Sequence, residues 1–171
     1  AKSFHVDLDL VKAAIVAGVD FWHLPLAVME TNDSLMIFYC THNPLRFSTI
    51  ANHLQTAENA LVSMRKHPKL AAKIFYNLSR PLQFNKEIVI LAVSCGEYEG
   101  GYPPKFHAYE ETPVPLKYDR DVIKAAILSD SDIMFSNKWM PRWMCLMWNN
   151  SQAFIDEITT RIALQMPENL I

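Results

Sequence analysis

The sequence predicts an α+β fold in which helices pack on one side of a small, mainly antiparallel sheet. Segment 86–94 is an almost unbroken apolar run bounded by turn formers, which is typical of a strand buried on both faces. Segments 49–66 and 150–165 carry apolar residues at helical spacing, so each of them predicts an amphipathic helix. Strands between helices of this kind indicate a two-layer arrangement.

Capping and breaking residues locate the ends of the predicted elements. Asp9, Ser48 and Asp121 are of the types preferred at helix N-termini. Gly18 is suited to end the first helix, and Pro68 both ends one helix and begins the next. The predicted elements are helix 10–17, strands 22–30 and 35–41, helices 49–66 and 68–78, strands 86–94 and 105–111, helix 122–128, a short buried strand within 139–148, and helix 150–165.

Length and composition indicate one domain, 1–171, with a substantial core. Half of the residues are hydrophobic and a fifth are charged, which excludes a disordered chain. A net charge of −2 removes the general argument for nucleic-acid binding. Three cysteines without paired spacing predict free thiols in the cytoplasm rather than a disulfide framework. Neither a membrane-spanning run nor a signal-peptide pattern occurs, so no membrane association is predicted.

Charge is unevenly distributed along the chain. Between positions 46 and 86, seven arginines and lysines face a single acid, whereas between 87 and 121 seven acids face three bases. The molecule is therefore either two-sided in charge or simply has solvated helix faces. The cations Arg65, Lys66, Lys69 and Lys73 form a predicted basic corner, which suits a protein partner with an acidic surface.

Motifs for nucleotide binding, serine hydrolysis and zinc proteolysis do not occur in the sequence. Cys40 and His42, taken with Cys95 and His107, are of residue types that bind zinc, but their spacing is poor, so neither a metal nor a cofactor is predicted. Cys95 follows the buried strand, and His107 on the returning strand could pair with it, oriented by Glu97 or Glu99. A carboxylate beside that thiol would raise its pKa, which opposes activation.

Two classes of function follow from these patterns. The favoured one is a non-catalytic intracellular protein-binding module that self-associates, because the chain is rich in apolar and aromatic residues and lacks catalytic motifs. The alternative is a thiol-dependent hydrolase or acyltransferase that uses Cys95 and His107. Candidate partner-binding residues outside the basic corner are Trp139 and Trp143, placed in a predicted homodimer contact, and Tyr98 and Tyr102 in a glycine-rich loop.

One stretch of sequence occurs twice. Residues 7–20 and 119–132 are identical at seven of fourteen aligned positions and conservatively related at three more. A duplicated half-domain explains this similarity. Convergence also explains it and is the favoured explanation, since short capped helices with an alanine face draw on few residue types.

Overall fold

The computed structural model describes residues 6–94 and 108–129, together with positions 156, 159, 160 and 164. Every regular element in these parts of the chain is a helix. The predicted α+β fold is therefore wrong: the described ranges contain no strand and form an all-helical fold. Their buried side chains make up one hydrophobic core.

Ten α-helices are present in the described ranges, and four short 3₁₀ segments connect some of them. The α-helices are α1 Leu8–Val16, α2 Leu26–Thr31, α3 Asp33–His42, α4 Ala57–Lys66, α5 Ala71–Tyr76, α6 Arg80–Gln83, α7 Lys86–Ser94, α8 Ala108–Glu111, α9 Val114–Lys117 and α10 Arg120–Ser129. The 3₁₀ segments are Phe21–His23, Phe47–Thr49, Asn52–Leu54 and Pro68–Leu70.

Helix α7 is the centre of the described fold, since it packs against α4, α5, α6, α8 and α10. This is the segment predicted as a buried strand; its bounds were right and its type was wrong. The Asn85 side chain caps the helix, accepting hydrogen bonds from the amides of Glu87 at 3.0 Å and Ile88 at 3.3 Å. A helix that is apolar on nearly all sides suits a position surrounded by other helices, and there packing overrides the strand preference of β-branched residues.

The predicted hairpin is also helical. Its first arm becomes a 3₁₀ turn followed by α2, and its second arm lies within α3. Asn32, predicted to lie in the turn, instead caps α3 by accepting a hydrogen bond from the Leu35 amide at 3.0 Å. Pro25 directly precedes α2, where its missing amide hydrogen costs nothing. Residues such as Asn and Asp favour hairpin turns and helix N-caps equally. The turn residues between the two segments therefore led to the wrong prediction of a hairpin.

The long helix predicted for 49–66 forms only in its second half. Two 3₁₀ turns occupy its first part, and α4 begins after Thr56, whose hydroxyl accepts a hydrogen bond from the Asn59 amide at 3.2 Å. Its predicted end at Lys66 is confirmed, and the predicted helix 68–78 is present as a 3₁₀ turn followed by α5. Ser48 is thus not the N-cap of this helix.

Two further predictions need correction. The extended segment 105–111 is helical in its described part, α8. Helices α1 and α10 are present, but their caps lie two residues earlier than predicted, at Asp7 and Asp119 instead of Asp9 and Asp121. The helix predicted for 150–165 is described only in part, and there Asp156, Thr159 and Thr160 are helical.

A buried glutamine joins the two 3₁₀ turns to the end of α5. Gln55 donates from Nε2 to the carbonyls of Phe47 at 2.9 Å and Ile50 at 3.0 Å. Its Oε1 accepts a hydrogen bond from the Ser79 amide at 2.7 Å. One side chain therefore satisfies three backbone groups in segments that lack a regular hydrogen-bond ladder.

Candidate interaction surface

The predicted basic corner lies where α4 meets α5. Arg65 and Lys66 are in the last turn of α4, Lys69 is in the following 3₁₀ turn, and Lys73 is in α5. Lys66 and Lys69 are exposed and Lys73 is half-buried. Arg65 forms an ion pair with Glu87 at the start of α7. The structure thus places the four cations along one stretch but partly neutralises the first of them.

Other ion pairs show how the uneven charge of the sequence is compensated. Lys86, the last cation of the basic stretch, lies 2.8 Å from Asp119 and 2.6 Å from Asp121. Arg46, the first, pairs with Asp20. Cations of the basic stretch thus bind acids from outside it, so the excess positive charge on this side is smaller than the sequence count implies.

Lys86 connects the N-termini of α7 and α10. Hydrogen bonds to Asp119 and then to Asp121 raise the pKa of Lys86. Partial burial by itself would raise the pKa of Asp119, but the hydrogen bonds from Lys86 and from the amides of Asp121 and Val122 outweigh burial and lower that pKa. Both groups are therefore charged at neutral pH. Two acids at the start of α10 also suit the positive end of its dipole.

A groove of about 360 Å³ runs between α7 and α10. It is lined by Ile90, Ser94, Asp121, Lys124, Ala125 and Leu128. The N-termini of α7 and α10 meet at the ion pair between Lys86 and Asp119. Ser94 and Leu128, near the C-termini of the same two helices, both line the groove. Helices α7 and α10 therefore run parallel. Leu128 at the rim is 60% exposed, which leaves an aliphatic side chain available for contact.

The polar side chains that line this groove each have a partner among the described residues. Ser94 donates its hydroxyl hydrogen to the Ile90 carbonyl of its own helix at 2.7 Å. Lys124 pairs with Asp156 at 3.3 Å, and Asp121 pairs with Lys86. A nucleophile needs a base within hydrogen-bond reach, and Ser94 has no such contact within the described part of the groove.

Helix α1 and the turn after it expose several large apolar side chains. Leu10 is 70% exposed, Val16 64% and Trp22 58%, and Leu8 is exposed to a lesser degree. Only Val11 and Ile15 of this helix are buried, against α3. The sequence does not reveal this surface, because the spacing of its apolar residues does not show which of them face solvent.

Candidate residues for metal binding and thiol chemistry are only partly described. Cys40 is fully buried, and burial raises the pKa of its thiol to about 12. His42, two residues on, is exposed and stacks on Phe38, so these two side chains do not converge. Across the described positions, no three His, Cys, Asp or Glu side chains are grouped to hold a metal ion.

Several candidates lie outside the described residues. They are Cys95, Glu97, Tyr98, Glu99, Tyr102, His107, Trp139 and Trp143, and the strand predicted within 139–148 lies there too. The thiol–imidazole pair and the tryptophan contact therefore stay predictions.

Comparison with known proteins supplies no further assignment. The chain matches no protein-family model, no curated protein and no solved structure. None of the described helices combines the length and the apolar character needed to cross a membrane.

Proposed function

We propose that this chain is a non-catalytic protein-binding module that self-associates. The carrying observation is the exposed apolar surface of α1 and the following turn, where Leu10, Val16 and Trp22 are each more than half exposed. Several large apolar side chains exposed on one helix and the turn that follows it are typical of a contact site. A second copy of the chain could cover this surface without any other protein being required.

The basic corner adds a second contact of a different kind. Lys66 and Lys69 are exposed beside the paired Arg65. Exposed cations of this sort increase the rate of encounter with an acidic protein surface and help to select it. The proposed external partner therefore carries an acidic patch. We place the module in the cytoplasm, in keeping with an odd number of cysteines, of which Cys40 is a free thiol.

Sedimentation of the full chain between 1 and 200 μM tests the proposed self-association. Wild type should shift from monomer to a larger species across this range, and the double variant Leu10→Ser, Trp22→Ser should stay monomeric. Phe84→Ser is the matched control and should leave self-association unchanged. Phe84 is also an exposed aromatic residue, but it lies at the C-terminal end of α6, far from α1 in sequence. Wild type that stays monomeric at 200 μM would contradict the proposal.

A further inference from the structure

Helix α1 carries an apolar stripe on a side that does not face the core. Its residues recur at spacings of three and four, so they share one side of the helix; they are Leu10, Ala13, Ala14 and Ala17. Leu10 is 70% exposed. Ala13 and Ala17 are also exposed, and Ala14 is half-buried. We call these four residues the α1 stripe; the buried side of the helix, which packs against α3, is a different one.

The repeated sequence indicates what kind of element fits this side of the helix. Leu10 and Ala14 align with Val122 and Ala126 of α10. Val122 is 0% exposed and Ala126 1% exposed, and α10 packs mainly against another helix, α7. The side that is buried on α10, where a helix is the main neighbour, therefore remains open on α1. We expect a helix to cover it there as well.

The α1 stripe is complementary to itself when two copies of the helix run antiparallel. One register sets Leu10 of each copy opposite Ala17 of the other, and Ala13 opposite Ala14. Every residue of the stripe then has an apolar partner, and a large side chain meets a small one at each end of the contact. A parallel pair would instead set Leu10 against Leu10 at one end and leave alanines facing alanines elsewhere. Size therefore selects the antiparallel orientation.

Charge also suits the antiparallel pair. The two charged side chains within α1, Asp9 and Lys12, both lie outside the stripe. Antiparallel helices place the positive N-terminal end of one dipole beside the negative C-terminal end of the other. At the C-terminal end of α1, Arg46 pairs with Asp20 and donates a hydrogen bond to the Gly18 carbonyl at 2.9 Å. The acidic N-terminal turn of the second copy therefore meets an end whose own acid is neutralised.

We infer that α1 docks antiparallel on α1 of a second copy through the α1 stripe, with a twofold axis between Ala13 and Ala14. This inference rests on the proposed self-association and names its contact. Trp22, in the turn after α1, lies at the same end of the contact as the partner's Leu10. The same surface is used by both copies, so the contact closes as a dimer.

The size of this contact sets the affinity to expect. Helix α1 has nine residues and is therefore about 14 Å long. A single pair of helices of this length forms an interface at the small end of the known range, and such interfaces are weak. We therefore expect dissociation in the micromolar range.

A charge-pair experiment tests the register in the full chain. Leu10→Glu and Ala17→Lys each place a charge against an apolar position of the second copy, so each should weaken self-association about tenfold or more. Both changes suit the dipole of α1, which favours an acid in its first turn and a base at its C-terminal end.

An equimolar mixture of the two variants should associate to within about threefold of wild type. In the mixed dimer the glutamate introduced at position 10 faces the lysine introduced at position 17, and the other end keeps the wild-type pair of Leu10 and Ala17. Analytical ultracentrifugation of each variant and of the mixture measures this.

Lys12→Glu is the matched control, because Lys12 is exposed on the same helix but lies outside the stripe. It should leave association unchanged, and circular dichroism melts of all variants report whether the fold is retained. Association of wild type that neither Leu10→Glu nor Ala17→Lys weakens, or a mixture that does not recover, would overturn this contact while leaving the proposed module intact. Lys12→Glu that weakens association as much as Ala17→Lys would also overturn it, since a different side of α1 would then form the contact. A wild type monomeric at 200 μM would overturn both proposals and leave the stripe to a different protein.

Discussion

Replacing Asp119 with Ala should destabilise the protein more than replacing Asp7, although both carboxylates cap a helix with hydrogen bonds of the same lengths. Loss of an Asp N-cap costs about 1 kcal/mol in unfolding free energy. Asp119 also accepts from Lys86 at 2.8 Å, and a surface ion pair of this kind adds about 0–1 kcal/mol. We therefore expect about 1.5 kcal/mol for Asp119→Ala and about 1 kcal/mol for Asp7→Ala.

Thermal and urea unfolding measure the two losses. For a chain of this size, about 1.5 kcal/mol corresponds to a Tm lower by roughly 3–6 °C. A double-mutant cycle with Lys86→Met isolates the ion pair, and its coupling energy should equal the difference between the two cap variants. If Asp7→Ala proves as damaging as Asp119→Ala, or the cycle shows no coupling, the bridge from Lys86 contributes nothing.

The pH dependence of this difference has a definite sign. The pKa of Asp119 is lowered in the folded protein, so its stabilisation is fully present above the ordinary carboxyl pKa of about 4. It is lost as the pH falls through the lower, folded value. The stability gap between wild type and Asp119→Ala should therefore stay constant from pH 7 to pH 5 and narrow below about pH 4. If the stability difference between wild type and Asp119→Ala already narrows near pH 6, a group other than Asp119 is responsible for the pH dependence.

Three further predictions concern the core and the basic corner. Gln55→Ala should lower the free energy of unfolding by about 3 kcal/mol or more in urea titration, since it leaves the Ser79 amide and two carbonyls without their buried partner; a loss under 1 kcal/mol would mean that water replaces the side chain. Tyr39→Phe should be neutral or stabilising in the same assay, because the buried Tyr39 hydroxyl has no hydrogen-bond partner among the described residues, and a clear loss would reveal one. Replacing Lys69 and Lys73 with Glu should weaken capture of acidic partners while the circular dichroism melt is retained, and 0.5 M salt should weaken wild-type capture similarly; capture unchanged by both would reduce this corner to a solvated surface.

The sequence predicted where α7 begins and ends but not what it is. Runs of Ile and Val favour strands, and a run buried on all sides has no periodicity that separates a strand from a helix. The cap at Asn85 was the available signal, since an Asn followed by an acid two residues later resembles the starts of α1 and α10. Periodicity served better in α4, where one helical face is polar, and its end before Pro68 was located correctly.

The basic corner and the exposed surface of α1 were likewise only partly predictable from the sequence. The sequence identified the basic corner and the repeated segment, because charges and identities are local properties. It could not show that Arg65 is paired with Glu87, or that Val122 is buried while its counterpart Leu10 is 70% exposed. Those facts depend on which helix lies alongside, α7 for α10 and α3 for α1, and packing partners are not encoded in the segment itself.

The position of the central helix late in the described order matters during synthesis. Helices α4 and α5 leave the ribosome before α7, the helix against which both pack, and α7 in turn precedes α10. Because synthesis adds about 5–20 residues per second, the packing faces of α4 and α5 stay uncovered for seconds. A nascent chain stalled before Lys86 should therefore bind chaperones and be sensitive to protease, and both properties should decline sharply once residues up to 129 have emerged.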